Sequence, residues 1–163
     1  MTLDEVNACD RAGFISRVGW VFEHSPWIAE RAWARKPFRS VDELHAEMTA
    51  QMASATPDEQ LTLLRAHPDL GARIKMSDAS MHEQLGAGLD NLTSEECERL
   101  RRLNAGYREK FGFPFLYAVK GSTKHDILKA LEDRLPSSRD QELAEALRQV
   151  ARIARFRLEE LVS

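Results

Sequence analysis

Five times in this chain a Ser or Thr is followed three positions later by Glu or Gln: Thr2/Glu5, Ser40/Glu43, Thr56/Glu59, Thr93/Glu96 and Ser138/Gln141. In such a pair the hydroxyl accepts from a backbone N–H of the first helical turn, and the Glu or Gln side chain accepts from the N–H of the cap. Two donors that a helix start leaves orphaned are thereby satisfied. One capping box is unremarkable in any sequence. Five, spread along the whole chain, constrain it to a succession of helices. Pro26 after Ser25 and Pro57 after Thr56 place prolines at a first helical position, where the missing N–H costs nothing.

Apolar spacing agrees. Leu143, Ala146, Leu147, Val150, Ile153, Ala154, Leu158 and Leu161 recur at steps of three and four, which predicts a long amphipathic helix over 139–161. Cys97, Leu100, Leu103, Asn104 and Tyr107 mark a similar stripe over 94–110, with Cys97 expected in the core. Ile127, Leu128, Leu131 and Leu135 precede Pro136, which stops their helix. A short helix is expected over 57–65. No segment shows sustained alternation of β-branched residues, and no linker divides the chain. The expectation is an all-α protein, a single compact domain of about eight helices over residues 1–163.

Composition then narrows the function. Lys and Arg number 23 against 26 Asp and Glu, a net charge of −3. Without a polybasic block the chain lacks the footprint of a nucleic-acid binder. No apolar run approaches the ~20 residues that span a bilayer. The polar start MTLDEVNACDR does not read as a signal peptide, nor Leu161-Val162-Ser163 as a peroxisomal address. Cys9 and Cys97 are the only cysteines; they make neither a disulfide framework nor a four-cysteine zinc site and fit a reducing cytoplasm. A chain of this length buries roughly 70% of its unfolded surface, enough for one core. It leaves no room for a separate cofactor domain.

Two stretches break the helical grammar. In Ala66-His67-Pro68-Asp69-Leu70-Gly71, Pro68 disfavours helical geometry at His67 and ends the preceding helix. His67 therefore projects from a fixed corner, and imidazole suits proton transfer near neutrality. The ordinary alternative is a histidine stabilised by a helix C-terminus. Of His24, His45, His82 and His125, His45 and His125 sit in polar helical stretches and are expected to be solvated. The second stretch is Lys110-Phe111-Gly112-Phe113-Pro114-Phe115-Leu116-Tyr117-Ala118-Val119-Lys120-Gly121, and its aromatic-dense part, Phe111 to Val119, reads either as a core-filling connector or as a pocket wall. In the second reading its non-helical backbone offers N–H and C=O groups to a heterocycle.

A third candidate lies on a helix. Ser80, Glu83 and Gln84 stand at i, i+3 and i+4 and share one face, continued by the small Ala87. A hydroxyl, a carboxylate and an amide on one surface can make several directed hydrogen bonds, although polar helix faces are commonly just solvated. His67, Asp69, His82 and Glu83 include metal-ligating types. But His82 points about 100° away from Glu83 on a helix, and no paired-histidine spacing is present. No metal is expected. Phosphate loops, dinucleotide fingerprints and nucleophile elbows are absent from the sequence.

At these residues the sequence resembles the family of 2-oxo-4-hydroxy-4-carboxy-5-ureidoimidazoline (OHCU) decarboxylases. The resemblance is carried by Glu23-His24-Ser25-Pro26-Trp27, by His67-Pro68-Asp69-Leu70-Gly71 and by Ser80-x-x-Glu83-Gln84 with Ala87-Gly88-Leu89. It continues in Leu103-Asn104-x-x-Tyr107-x-x-Lys110-Phe111-Gly112-Phe113-Pro114-Phe115 and in Ile153-Ala154-Arg155-Phe156-Arg157-Leu158, nearly the whole chain. It implies an all-helical, cofactor-free, typically homodimeric enzyme of the cytoplasm that takes a ureidoimidazoline to (S)-allantoin. By the same resemblance His67 and Glu83 are catalytic. Pro68, Ser80, Gln84, Phe111, Phe113, Phe115, Leu116, Val119 and Arg157 bind substrate. Arg157 is taken in preference to Arg155 because it directly precedes Leu158, as in the family's Arg-Leu pair. The alternatives are an enzyme for a related ureido-heterocycle and a non-catalytic helical binding or scaffold module in a purine-catabolic complex.

Overall fold

The computed structural model describes residues 1–71 and 78–163, and every regular element among them is helical. These are α1 (Leu3–Ala8), α2 (Arg11–Val18), a 3-10 turn (Gly19–Val21), α3 (Trp27–Trp33), α4 (Val41–Ala53) and α5 (Pro57–Arg65). They continue with α6 (Asp78–Gly86), α7 (Ser94–Phe111), α8 (Lys124–Arg134) and α9 (Arg139–Leu161). The all-α expectation holds, and nine α-helices among the described residues stand against the eight or so read from sequence. The bounds expected for α5 and α9 coincide with those observed. Helix α7 runs one residue past its expected end, to Phe111. It closes where Gly112 takes φ 80°, a left-handed conformation that glycine adopts without Cβ strain.

The predicted caps form with two differences. Thr2, Thr56 and Thr93 make complete capping boxes, and Ser138 and Gln141 exchange both bonds, at 3.0 and 3.2 Å. At α4, Ser40 Oγ accepts from Glu43 N–H, but the Glu43 carboxylate reaches one residue further back and accepts from Arg39 N–H at 2.6 Å. Ser25 does not cap α3: its hydroxyl donates to the Glu23 carbonyl at 2.9 Å, and α3 starts at Trp27 with Pro26 before it. A further complete box, Thr123/Asp126, starts α8. It carries Asp in place of Glu and so escapes the Ser/Thr-x-x-Glu/Gln pattern.

The chain forms two compact units. The first comprises residues 1–66 and 150–163, the second residues 67–149, and α9 contributes residues to each. In the first unit α2 packs on α3 and α3 on α4. Val6, Phe14, Val18, Ile28, Leu44 and Met48 are fully buried there, together with Ala154 and Leu158 from the apolar stripe of α9. Phe14 stacks on Phe38 with ring centroids 6.1 Å apart. His45 corrects the sequence expectation: it is half-buried, with Nε2 2.7 Å from the Ala151 carbonyl oxygen.

The second unit holds a segment that is both irregular and buried. Residues 113–119 belong to no helix, yet Phe113, Phe115, Leu116, Ala118 and Val119 are all in the core. Tyr107 of α7 is the hub of their packing. Its ring lies 4.5 Å from Phe111 and meets Phe115 edge-on at 5.4 Å and Phe113 at 6.0 Å, arrangements that suit the quadrupoles of aromatic rings. The Tyr107 hydroxyl donates to Glu142 Oε1 at 2.7 Å, and Arg134 Nε donates to the same oxygen at 2.8 Å. Arg134 also donates to the Leu116 carbonyl at 2.7 Å and covers the Phe115 ring at 4.5 Å. Gln149 Oε1 accepts from Ala118 N–H at 2.9 Å. Burial, and then the bond to Glu142, push the Tyr107 phenol well above its ordinary pKa, so it stays a donor.

Cys97 departs from expectation: it is exposed. It belongs to a first turn of α7 in which Ser94, Glu95 and Glu98 are exposed too. The buried face of α7 begins only at Leu100 and continues through Leu103, Asn104, Tyr107 and Phe111.

Two predictions test this packing. Tyr107→Phe removes one hydrogen bond to a charged acceptor and is expected to lower stability by about 1.5–3 kcal/mol in urea unfolding. Glu142→Ala strands the guanidinium of Arg134 and is expected to cost more, about 3–5 kcal/mol. If the order of the two is reversed, Glu142 does not hold the segment. The second prediction concerns pH. The Lys124 ammonium at 2.7 Å, and then Thr93 N–H, hold the Glu96 carboxyl at about 2, against 4.5 when free. A carboxyl lowered by folding contributes its stabilisation in full above the unfolded value and loses it as pH falls through the folded one. The difference in Tm between the native chain and Glu96→Gln should be constant above the unfolded value, then shrink between 4.5 and about 2.

Candidate functional site

His67 opens the second unit, directly after Ala66, the C-cap of α5, and is 6% exposed. The turn that follows is pinned at three consecutive residues. Asp69 pairs with Arg108 of α7 at 2.9 Å. The Leu70 carbonyl accepts from Asn104 Nδ2 at 3.0 Å. Gly71 N–H donates to Gln84 Oε1 of α6 at 2.8 Å. Gly71 has φ 74°, a conformation strained for any residue with a Cβ, and a Cβ there would lie 2.7 Å from Leu100 Cδ2, so that side chain would have to shift as well. Proline at 68 and glycine at 71 therefore frame a stiff corner that carries a buried imidazole.

Helix α6 presents the face expected from its sequence. Ser80 and Gln84 are buried, Glu83 is half-buried, and Ala87 beyond the helix end is buried. Met81, His82 and Leu85 turn outward and are exposed. Gln84 brings this face into direct contact with the His67 turn through its bond to Gly71. Its carbonyl oxygen thus has a structural role in holding the turn. Pro68 is half-buried beside His67.

The remaining candidates lie elsewhere. Phe111, Phe113 and Phe115 pack around Tyr107, the arrangement of the core-connector reading, while Leu116 and Val119 are buried further along the same segment. In the first unit the guanidinium of Arg157 is buried. Its Nη2 donates to Glu23 Oε2 at 2.8 Å, and its Nη1 to the carbonyls of Val21 and Trp20 at 3.3 and 3.4 Å. Arg155 instead serves a surface ion-pair cluster with Glu159, at 2.7 Å, and Asp42.

A cavity of about 760 Å³ opens beside the His67 turn, lined by Asp69, Leu70 and Gly71 and by α7 residues including Cys97, Asn104 and Arg108. His67, Ser80, Glu83 and Gln84 are not among its lining residues. Among the described residues no three His, Cys, Asp or Glu side chains gather as metal ligands, and no helix is long and apolar enough to cross a membrane. A buried imidazole at a fixed corner, linked to a face bearing hydroxyl, carboxylate and amide, is equipped for proton transfer on a ligand held by hydrogen bonds.

Sequence reasoning about function missed the residues that hold this geometry: Asn104, Arg108, Arg134, Glu142, Gln149 and Glu23. The signal existed for Asn104, a polar residue on an apolar stripe, and for Glu142, one turn before Ala146 on the buried face of α9. Gly71→Ala is expected to lower stability by at least about 1–2 kcal/mol, read by thermal unfolding. An unchanged Tm would mean that the turn is looser than its three bonds indicate.

Comparison with known proteins places these features in context. Residues 7–159 match the family model described as OHCU decarboxylase. The chain is 47% identical to the 2-oxo-4-hydroxy-4-carboxy-5-ureidoimidazoline decarboxylase of Halalkalicoccus jeotgali, covering 99% of this chain and 92% of that one. The enzyme of the same name from Haloferax volcanii is also 47% identical, over 100% and 97% of the two chains. Among solved structures, an (S)-allantoin synthase superposes with a TM-score of 0.81 at 33% identity, over 99% of this chain and 54% of that chain.

Proposed function

This chain belongs to the OHCU decarboxylase family, the decarboxylases of urate degradation, and from that premise we propose that it converts OHCU to (S)-allantoin with His67 as its proton carrier. The observation that carries this reading is the buried His67 at a corner locked to α6 by the Gly71–Gln84 bond. The same helix bears Ser80 and Glu83.

The substrate explains why so small a chain suffices. The carbon that loses CO2 bears a hydroxyl and neighbours a C=N bond. The electron pair of the breaking C–C bond forms a C=C bond to the neighbouring carbon while the C=N pair moves onto nitrogen, which takes up a proton, so no external electron sink and no cofactor is needed. The product of this step is an enol-like ring. Protonation of the adjacent ring carbon from one face then gives a single enantiomer of allantoin. Such a site must hold the ring, take or polarise the hydroxyl proton, and shield one face. His67 handles the proton. Glu83 hydrogen-bonds ring or ureido N–H groups and orients the imidazole. Ser80 and the Gln84 amide fix the ureido group. Pro68 and the segment from Phe111 through Phe113, Phe115 and Leu116 to Val119 supply walls. Arg157 offers its planar fork to a substrate oxygen. The roles of these residues follow the family resemblance; for His67, Ser80, Glu83 and Gln84 the pinned turn and the face of α6 support it as well. The same resemblance supports a cytoplasmic homodimer in which residues 1–163 act as one working domain.

The uncatalysed reaction gives racemic product, so the assay follows handedness. OHCU generated enzymatically from urate is expected to yield a dichroic (S)-allantoin signal with the protein and none without it. A racemic product in both cases would refute the function. His67→Ala should lower the rate of the dichroic signal by about 10²–10⁴-fold with unchanged helical content. Full activity in that variant would remove His67 from the proton-carrying role.

A further inference from the structure

Asn104 stands where the apolar stripe of α7 would take a leucine. It is 7% exposed, and Leu100, Leu103 and Tyr107 are buried on the same face of the helix. Its Nδ2 donates to the Leu70 carbonyl at 3.0 Å, while its Oδ1 is buried with no hydrogen-bond partner among the described residues. An amide oxygen left unpaired away from water is costly. Leucine has the same branched outline and would carry no such oxygen. The half of the amide that is used therefore holds the reason for an asparagine, and it ends on the turn three residues beyond His67. Of the three side chains that hold this turn, only Asn104 makes its bond between two buried residues, itself and Leu70. The Asp69–Arg108 pair is open to water, with side chains 34% and 48% exposed, and so contributes little. Gln84 bonds to Gly71, which is exposed.

We infer that Asn104 is a positioning residue for His67: by fixing the Leu70 carbonyl it sets one end of a short, stiff link whose other end carries the imidazole. The inference rests on the reading that His67 carries the proton. Between His67 and Leu70 the chain has little freedom. The ring of Pro68 fixes its own φ and restricts the backbone of His67 before it. Gly71 then turns the chain at φ 74°. A shift of the Leu70 carbonyl is therefore passed on toward His67 rather than absorbed. The far side of the bond is equally firm. Asn104 lies inside the 18-residue α7, and Tyr107, one turn on, is anchored to Glu142 at 2.7 Å. A group held from a regular helix keeps its geometry better than one left to a loop. Proton transfer needs that, since a misplacement of about 1 Å can cost about 10²-fold in rate.

Asn104→Leu tests this, with steady-state kinetics on OHCU and with proton NMR of the histidines. The variant exchanges one unpaired buried oxygen, Oδ1, for another, the Leu70 carbonyl. Its Tm is therefore expected within about 4 °C of the native value. The kcat is expected to fall about 10–10²-fold while KM stays within about twofold. The His67 ring resonance, identified by its loss in His67→Ala, is expected to shift, while those of His24, His45, His82 and His125 stay in place. A side chain that served only the fold would leave every histidine where it was in the folded variant, or move several together. Native kcat, an unmoved His67 resonance, or a joint shift of several histidines overturns the inference. If Asn104→Leu does not fold, Asn104→Ala is read by the same two measurements. If neither folds, Asn104 serves the fold and the inference falls. His67→Ala separates the inference from the reading beneath it. If that variant keeps native activity, both fall. If it is inactive while a folded Asn104→Leu keeps native kcat, the positioning role alone is refuted.

Discussion

Glu142 must be paid for its lost water of hydration, and the second unit is built around how that is done. Its carboxylate receives the Tyr107 hydroxyl and the Arg134 guanidinium on one oxygen, at 2.7 and 2.8 Å. Arg134 in turn reaches the Leu116 carbonyl, and Tyr107 gathers three phenylalanine rings. This matters because residues 113–119 run through the core without a helix or a ladder to satisfy them. Buried backbone groups require partners, and here side chains from α8 and α9 provide them at Leu116 and Ala118. Remove the carboxylate, and the arginine loses the reason to be where the carbonyl needs it.

The same logic recurs at the His67 turn with milder chemistry. Three successive residues after Pro68 are each fixed by a different side chain: Arg108, Asn104 and Gln84. None of these bonds is strong alone, since a typical net hydrogen bond contributes about 0.5–1.5 kcal/mol. Together they leave the corner, and the buried imidazole it carries, few alternatives. In the first unit the Glu23–Arg157 pair applies full charges to a similar end. Preorganised groups cost no rearrangement when the reaction occurs, which is where much of catalysis originates.

The helices were legible in the sequence because their signals are local. Capping boxes, prolines and apolar spacing act within one or two turns, so the ends of α5 and α9 could be read directly. The pinning residues were not legible for the opposite reason. Tyr107 and Glu142 are 35 residues apart, Leu70 and Asn104 are 34, and Glu23 and Arg157 are 134. No pattern within a helix reveals such a partner. Cys97 and His45 show the same limit: position on a stripe says which way a side chain points, and tertiary packing decides whether anything covers it. Local grammar failed at the His67 turn and at 113–119, and these are the places where side chains from distant helices take over the work of the backbone. Spacing alone does not single out His67, Ser80, Glu83 and Gln84, because each has an ordinary structural explanation; the motif resemblance is what sets them apart.

We propose that the reacting ring is held between His67 and the polar face of α6. A crystal structure with (S)-allantoin bound tests it most directly. Ring or ureido atoms are expected at hydrogen-bond distance, about 2.6–3.2 Å, from the His67 imidazole and from at least one of Ser80, Glu83 and the Gln84 amide. Allantoin seated instead in the cavity lined by Cys97, Asn104 and Arg108, away from His67, would contradict it.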